Sequence, residues 1–78
     1  MKFPRGVSAD RLIRALEHVG YEVIRQRGSH VRLRCPGPPA HSITVPLHNP
    51  MKTGTLHGIL TEVATMRTVT VEYLTELL

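Results

Sequence analysis

Seventy-eight residues are enough for one domain and too few for two, so residues 1–78 are taken as a single folding unit. Apolar residues make up 41% of the chain and the mean hydropathy is −0.08. No apolar run nears the roughly 18 residues of a membrane span, so a membrane-spanning class does not fit. A single cysteine, Cys35, excludes an intrachain disulfide framework and any multi-cysteine zinc site. Residues 1–9 lack the apolar stretch of a signal peptide, and the expected location is the cytoplasm, away from membrane.

The charge is uneven. Ten Lys and Arg against six Asp and Glu give +4. Residues 1–34 carry Lys2, Arg5, Arg11, Arg14, Arg25, Arg27, Arg32 and Arg34 against Asp10, Glu17 and Glu22. Residues 35–78 carry only Lys52 and Arg67 against Glu62, Glu72 and Glu76. Arginine, permanently charged and fork-shaped, suits phosphate, and a basic half on a small domain is the footprint expected of a nucleic-acid ligand.

In chain order, Ser8 is a natural N-cap and Asp10 sits in a first turn that favours an anion. Leu12, Ile13, Leu16 and Val19 form one apolar stripe, and Gly20 ends the predicted first helix. Two extended segments follow, Tyr21 to Arg27 and Ser29 to Cys35, joined at Gly28 as a hairpin. In the second, Val31, Leu33 and Cys35 alternate with His30, Arg32 and Arg34, so period two sends the first set to the core and the second to the opposite face. In the first, Tyr21 and Val23 are expected to face inward, although Ile24 competes with Val23. Residues 36–39, Pro-Gly-Pro-Pro, force a loop that also carries His41. Ser42 to Leu47 reads as a third strand with Ile43, Val45 and Leu47 on one face, and Pro46 restricts it to an edge or marks its end. After a turn at His48-Asn49-Pro50, Leu56, Ile59, Leu60 and Val63 set a helical stripe starting near Gly54-Thr55. Gly58 costs that helix about 1 kcal/mol unless close packing requires it. Thr70 caps a short last helix, Val71 to Leu78, with Val71, Leu74 and Leu77 or Leu78 as its apolar stripe. The sum is an α+β domain of order α-β-β-β-α plus a small extra helix: a three-stranded antiparallel sheet with two helices on one face.

Five histidines require weighing. His18 lies near the end of the first helix, His57 borders the Leu56 stripe and His41 lies in the proline-rich loop. No spacing groups three ligands, so neither a metal nor another cofactor is expected. His30 is different. It opens the central strand and shares a face with Arg32 and Arg34. An imidazole titrates near neutrality and can take a proton from a 2′-hydroxyl or give one to a departing 5′-oxygen, while guanidiniums hold the phosphate and stabilise its developing charge. The competing reading is a strand-end histidine with its ring in solvent and no chemistry.

The run Arg27-Gly28-Ser29-His30-Val31, then Thr44-Val45-Pro46 with His48, then Lys52-x-Gly54-Thr55-Leu56-x-x-Ile59-Leu60, resembles the HicA-type toxins of bacterial toxin–antitoxin modules. The capped helix from Ser8 to Tyr21 fits the same pattern, and the likeness spans about residues 6–78. The resemblance implies a double-stranded-RNA-binding-domain-like fold and an mRNA interferase, that is, a toxin that cleaves mRNA and is neutralised by a HicB-type antitoxin. It also places the catalytic histidine of the Gly-Ser-His motif on His30. The chain departs from the pattern at the bulky 36–41 loop, at Thr61-Glu62, where relatives tend to be basic, and at the link Thr68-Val69-Thr70.

Taken together, the expectation is a metal-independent endoribonuclease with His30 as catalytic residue. Arg25, Arg27, Gly28, Ser29, Arg32, Arg34, His48 and Lys52 form the expected RNA-binding set, with Lys52 placed before a helix N-terminus that exposes free N–H groups to phosphate. The antitoxin is expected to cover the same cationic face. The alternative from a different class is a small RNA-binding module without catalysis.

Overall fold

Ser8 starts the first helix as its position predicts, its Oγ accepting from the Arg11 N–H at 3.2 Å. In helix α1 (Ala9–His18) Leu12 and Leu16 are fully buried, Ala9 and Ala15 complete the inward face, and Ile13 is half-buried at its border. Gly20, at φ +104°, turns the chain from α1 into the sheet, a conformation that a side chain would resist. The computed structural model describes residues 4–78, so Lys2, counted above with the basic half, lies outside the described residues.

Strands β1 (Glu22–Arg27), β2 (His30–Cys35) and β3 (His41–Pro46) form one antiparallel meander with β2 in the middle. Helices α2 (Thr53–Arg67) and α3 (Val71–Leu77) follow, and α3 begins where Thr70 Oγ1 accepts from the Tyr73 N–H at 3.0 Å. The architecture is thus α-β-β-β-α-α, an open three-stranded sheet consistent with the double-stranded-RNA-binding-domain-like fold. Val31, Leu33 and Cys35 of β2 and Ile43 and Val45 of β3 point at the helices and close one core with Leu12, Leu16, Leu56, Leu60, Val63 and Leu74. No charged side chain of the described residues is buried in it, so burial of apolar area is the main source of its stability.

Val23 corrects one expectation. It is 41% exposed, and every residue of β1 is exposed. Val23 pairs with Leu33 and so shares the helix-side face, but of the two edge strands only β3 has its inner residues buried, whereas those of β1 are left exposed. The register also slips between Val23 and Arg25, a bulge that leaves Ile24 over, 49% exposed. The bulge has a second effect: it puts Glu22, rather than Val23, on the sheet's open face.

His41 is the other correction. It does not sit in a loose loop but opens β3, and its ring ties the proline-rich loop down. A carbonyl can only accept, so Nδ1 donates to Pro39 O (2.6 Å) and Nε2 accepts from the Tyr21 hydroxyl (2.5 Å). Burial, aided by Cys35, pushes the Tyr21 phenol up to about 12. Nor does the periodicity announce the clamp between the chain's start and the turn before α2. Met51 N–H donates to Val7 O at 2.9 Å, Ala9 N–H donates to Asn49 Oδ1 at 3.0 Å, and Val7 and Met51 are both buried.

Candidate nucleic-acid interface

The face of the sheet turned away from the helices is bare, and the strand register decides what it displays. Three cross-strand rows follow from the pairing: Arg27, His30 and Pro46; Arg25, Arg32 and Thr44; Glu22, Arg34 and Ser42. In antiparallel pairs, residues directly opposite share a face, so each row is a set of neighbours. Rows two residues apart are separated by roughly 7 Å along the strands.

His30 owes its place to the turn before it. Gly28 and Ser29 link two strands whose last pair is Arg27 with His30, and Gly28 has φ +58° at the first central position, the type II′ pattern that suits the twist of a hairpin. A Cβ on Gly28 would meet nothing within 4 Å, so the glycine is required by the backbone angle and not by crowding. Ser29 O accepts from Leu47 N–H at 2.7 Å, which fastens the end of β3 to this turn. The His30 ring is exposed, and no hydrogen bond or ion pair holds it among the described residues.

Around His30 lies a shallow depression of about 150 Å³ lined by Arg25, Arg27, Arg32 and Thr44. Three guanidiniums and an imidazole therefore share one concavity. Arg32 Nη1 donates to Thr44 Oγ1 at 3.5 Å, a weak bond that orients the guanidinium across the sheet. Thr44 was not among the residues expected to serve the site. Its alternation with Ile43 and Val45 is the signal that places it on the open face.

The other expected residues are arranged differently. Arg34 lies on the same face but outside the depression, opposite Glu22, which offsets its charge locally. His48 is exposed beyond the end of β3, its N–H donating to Pro46 O at 3.0 Å, and does not line the depression. Lys52 is the N-cap residue of α2, exposed, with no side-chain capping bond, so the first N–H groups of that helix are left open beside it. Ser29 and Gly28 form the rim at the hairpin turn. Among the described residues, no three His, Cys, Asp or Glu side chains cluster in the manner of a metal site, and no helix is long and apolar enough to cross a membrane.

The arrangement can do two things chemically. Guanidiniums converging on one spot bind a phosphodiester through charge-assisted, often bidentate hydrogen bonds. An unencumbered imidazole at the same spot can take a proton from a neighbouring hydroxyl or give one to a departing oxygen. Among the described residues the face has no Phe, Tyr or Trp on which a base could stack, since Tyr21 is buried in the core and Tyr73 lies on α3.

The family described as the HicA toxin of bacterial toxin–antitoxin systems has a model that matches residues 9–64, from the start of α1 through most of α2. No curated protein and no solved structure matches the chain.

Proposed function

Because the chain belongs to the HicA toxin family of bacterial toxin–antitoxin systems, we propose that its nuclease activity is that of an endoribonuclease acting on mRNA with His30 at the reacting phosphate. The observation that carries the proposal is the exposed His30 ring in one depression with Arg25, Arg27 and Arg32. The guanidiniums hold the phosphodiester. A 2′-hydroxyl gives up its proton and its oxygen attacks the adjacent phosphorus. The bond to the 5′-oxygen then breaks, leaving a 2′,3′-cyclic phosphate on one fragment and a hydroxyl, which takes up a proton, on the other. His30 performs one of the two proton transfers. The other falls to water or to His48, two residues beyond the Pro46 that pairs with His30.

The family brings an antitoxin partner, and we assign to a HicB-type antitoxin the task of covering the same depression, since one interface there masks both the docking groups and the histidine. Binding through phosphates, which carry no sequence information, favours a sequence-tolerant substrate range. Lys52 and the free N–H groups of α2 would take a phosphate further along the strand, with His48 beside them.

The test is expression of the wild type and His30→Ala under tight control, following growth and mRNA integrity. The wild type should arrest growth with loss of intact mRNA, and the variant, folded, should do neither. A folded variant of equal toxicity removes His30 from the mechanism. The second reading, an RNA-binding module without catalysis, is favoured by the same basic face. It predicts RNA binding that weakens steeply with salt, survives loss of His30 and leaves the RNA uncut.

A further inference from the structure

A second concavity shares no lining residue with the depression around His30. It is an open groove of about 600 Å³ where α1 ends, α2 ends and α3 begins, lined by His18, Val19, Gly20, Arg67, Val69 and Tyr73. We infer that this groove docks a protein segment that presents an apolar side chain beside a carboxylate, at a second interface separate from the RNA-facing depression.

A fixed cation anchors the groove. Arg67 Nε donates to Val19 O at 3.0 Å, which sets the plane of the guanidinium, and a Cβ on Gly20 would stand only 3.3 Å from Arg67 Nη2. The absence of a side chain at Gly20 therefore gives the guanidinium its berth. Its outer N–H groups remain available, because no carboxylate pairs with Arg67 among the described residues. An ion held in place by one bond and left with open donors is pre-organised for a carboxylate.

The rest of the groove is apolar. Val19 and Val69 are half-buried, and Tyr73, 42% exposed, is one of three large apolar side chains exposed among the described residues. Arginine beside tyrosine over a partly desolvated floor is the composition of an interface anchor point. The chain also holds an unusual conformation to build it. Thr68, β-branched, sits in the left-handed region at φ 56°, capping α2 with its N–H on Ala64 O and swinging Val69 and Thr70 to the groove.

Charge and shape choose the occupant. Of the residues that line the groove only Arg67 carries a permanent positive charge, too little for a nucleic-acid backbone, which takes several cations, and enough for one carboxylate. The groove is open to solvent, and sites for free small molecules bury most of the ligand. A protein segment brings its own neighbouring surface to close the groove. The groove opens at the Tyr21 end of β1 and His30 pairs at the Arg27 end, about 20 Å away along the strand. Arg67, Val69 and Tyr73 also lie beyond the residues the family model matches, and Val69 belongs to the link where the sequence departs from that pattern.

The probe is the blocked tripeptide acetyl-Asp-Leu-Glu-amide, titrated into 15N-labelled His30→Ala protein, with acetyl-Asn-Leu-Gln-amide and a short single-stranded RNA as comparisons. The acidic peptide should move the amide signals of Gly20, Val69 and Thr70 and the Arg67 Nε signal, and the neutral peptide should bind at least about tenfold more weakly. Arg67→Met should abolish the shifts. Tyr73→Ser, at an exposed position that leaves the core intact, should weaken them and keeps the test decisive if Arg67→Met fails to fold. Both variants, made with His30 present, should retain RNA cleavage. Equal binding of the neutral peptide, shifts confined to Arg27, His30 and Arg32, or movement of the groove signals by RNA would each overturn the inference.

Discussion

Strand β2 has two sides with opposite histories. On one, Val31, Leu33 and Cys35 are sealed beneath the helices, and on the other His30, Arg32 and Arg34 stand in solvent. Neighbouring residues in sequence thus answer to different physics. The covered side is governed by removal of apolar area from water, where a lost methylene is felt by the whole domain. The bare side carries exposed charges, mostly of one sign, that are left to solvent and suit a polyanion. Substitutions on the two sides should therefore separate cleanly into those that change stability and those that change only chemistry or binding.

The largest effect on stability is expected on the covered side. Leu60→Ala, at a position with no exposure, should cost roughly 2–5 kcal/mol by denaturant titration, and a loss below about 1 kcal/mol would mean that this side is not the closed core described. Next comes the pH dependence that burial of the Tyr21 phenol imposes. The folded phenol is raised from 10.0 to about 12, so the unfolded chain loses this proton first, and stability present below pH 10 should fall as pH rises toward 12. The difference between wild type and Tyr21→Phe should show that loss as roughly 2 kcal/mol over the window. A smaller gain is expected at Gly58, where a Cβ meets nothing within 4 Å in the exposed face of α2. Gly58→Ala should add about 1 kcal/mol of stability, readable as a higher melting temperature. The smallest stability change belongs to the bare side: Arg32→Ala should stay within about 0.5 kcal/mol of wild type. The same change should weaken RNA binding across sequences and lower the slope of log affinity against log salt by about 1.

Much of this division is readable from residue order. The alternation His30-Val31-Arg32-Leu33-Arg34-Cys35 defines both faces because side chains in a strand repeat every two residues, and the Leu56 to Val63 stripe defines the helical cover because it repeats at helical spacing. Ser8 and Thr70 announce helix starts through a short-range bond that needs no tertiary context. What could not be read depends on partners distant in sequence. The bulge at Ile24 comes from pairing with β2, and the exposure of Val23 comes from where the helices stop, and neither leaves a local signature. His41 looks like a loop residue until Tyr21 and Pro39 are brought to its two nitrogens. At the site, His30 and its flanking arginines stand out by type and period. That Arg25 and Arg27 share a depression with His30 while Arg34 faces Glu22 follows only once the register is known.

The central claim is that the exposed imidazole of His30, ringed by guanidiniums, moves a proton during attack by a 2′-hydroxyl. It is tested most directly by incubating purified wild type and His30→Ala with a defined RNA and with the same RNA carrying 2′-deoxy sugars, and identifying the ends produced. The account predicts 2′,3′-cyclic phosphate ends from wild type on RNA only, and no cleavage by a variant whose melting curve matches wild type. Cutting of the 2′-deoxy strand, or undiminished cleavage by folded His30→Ala, would contradict it.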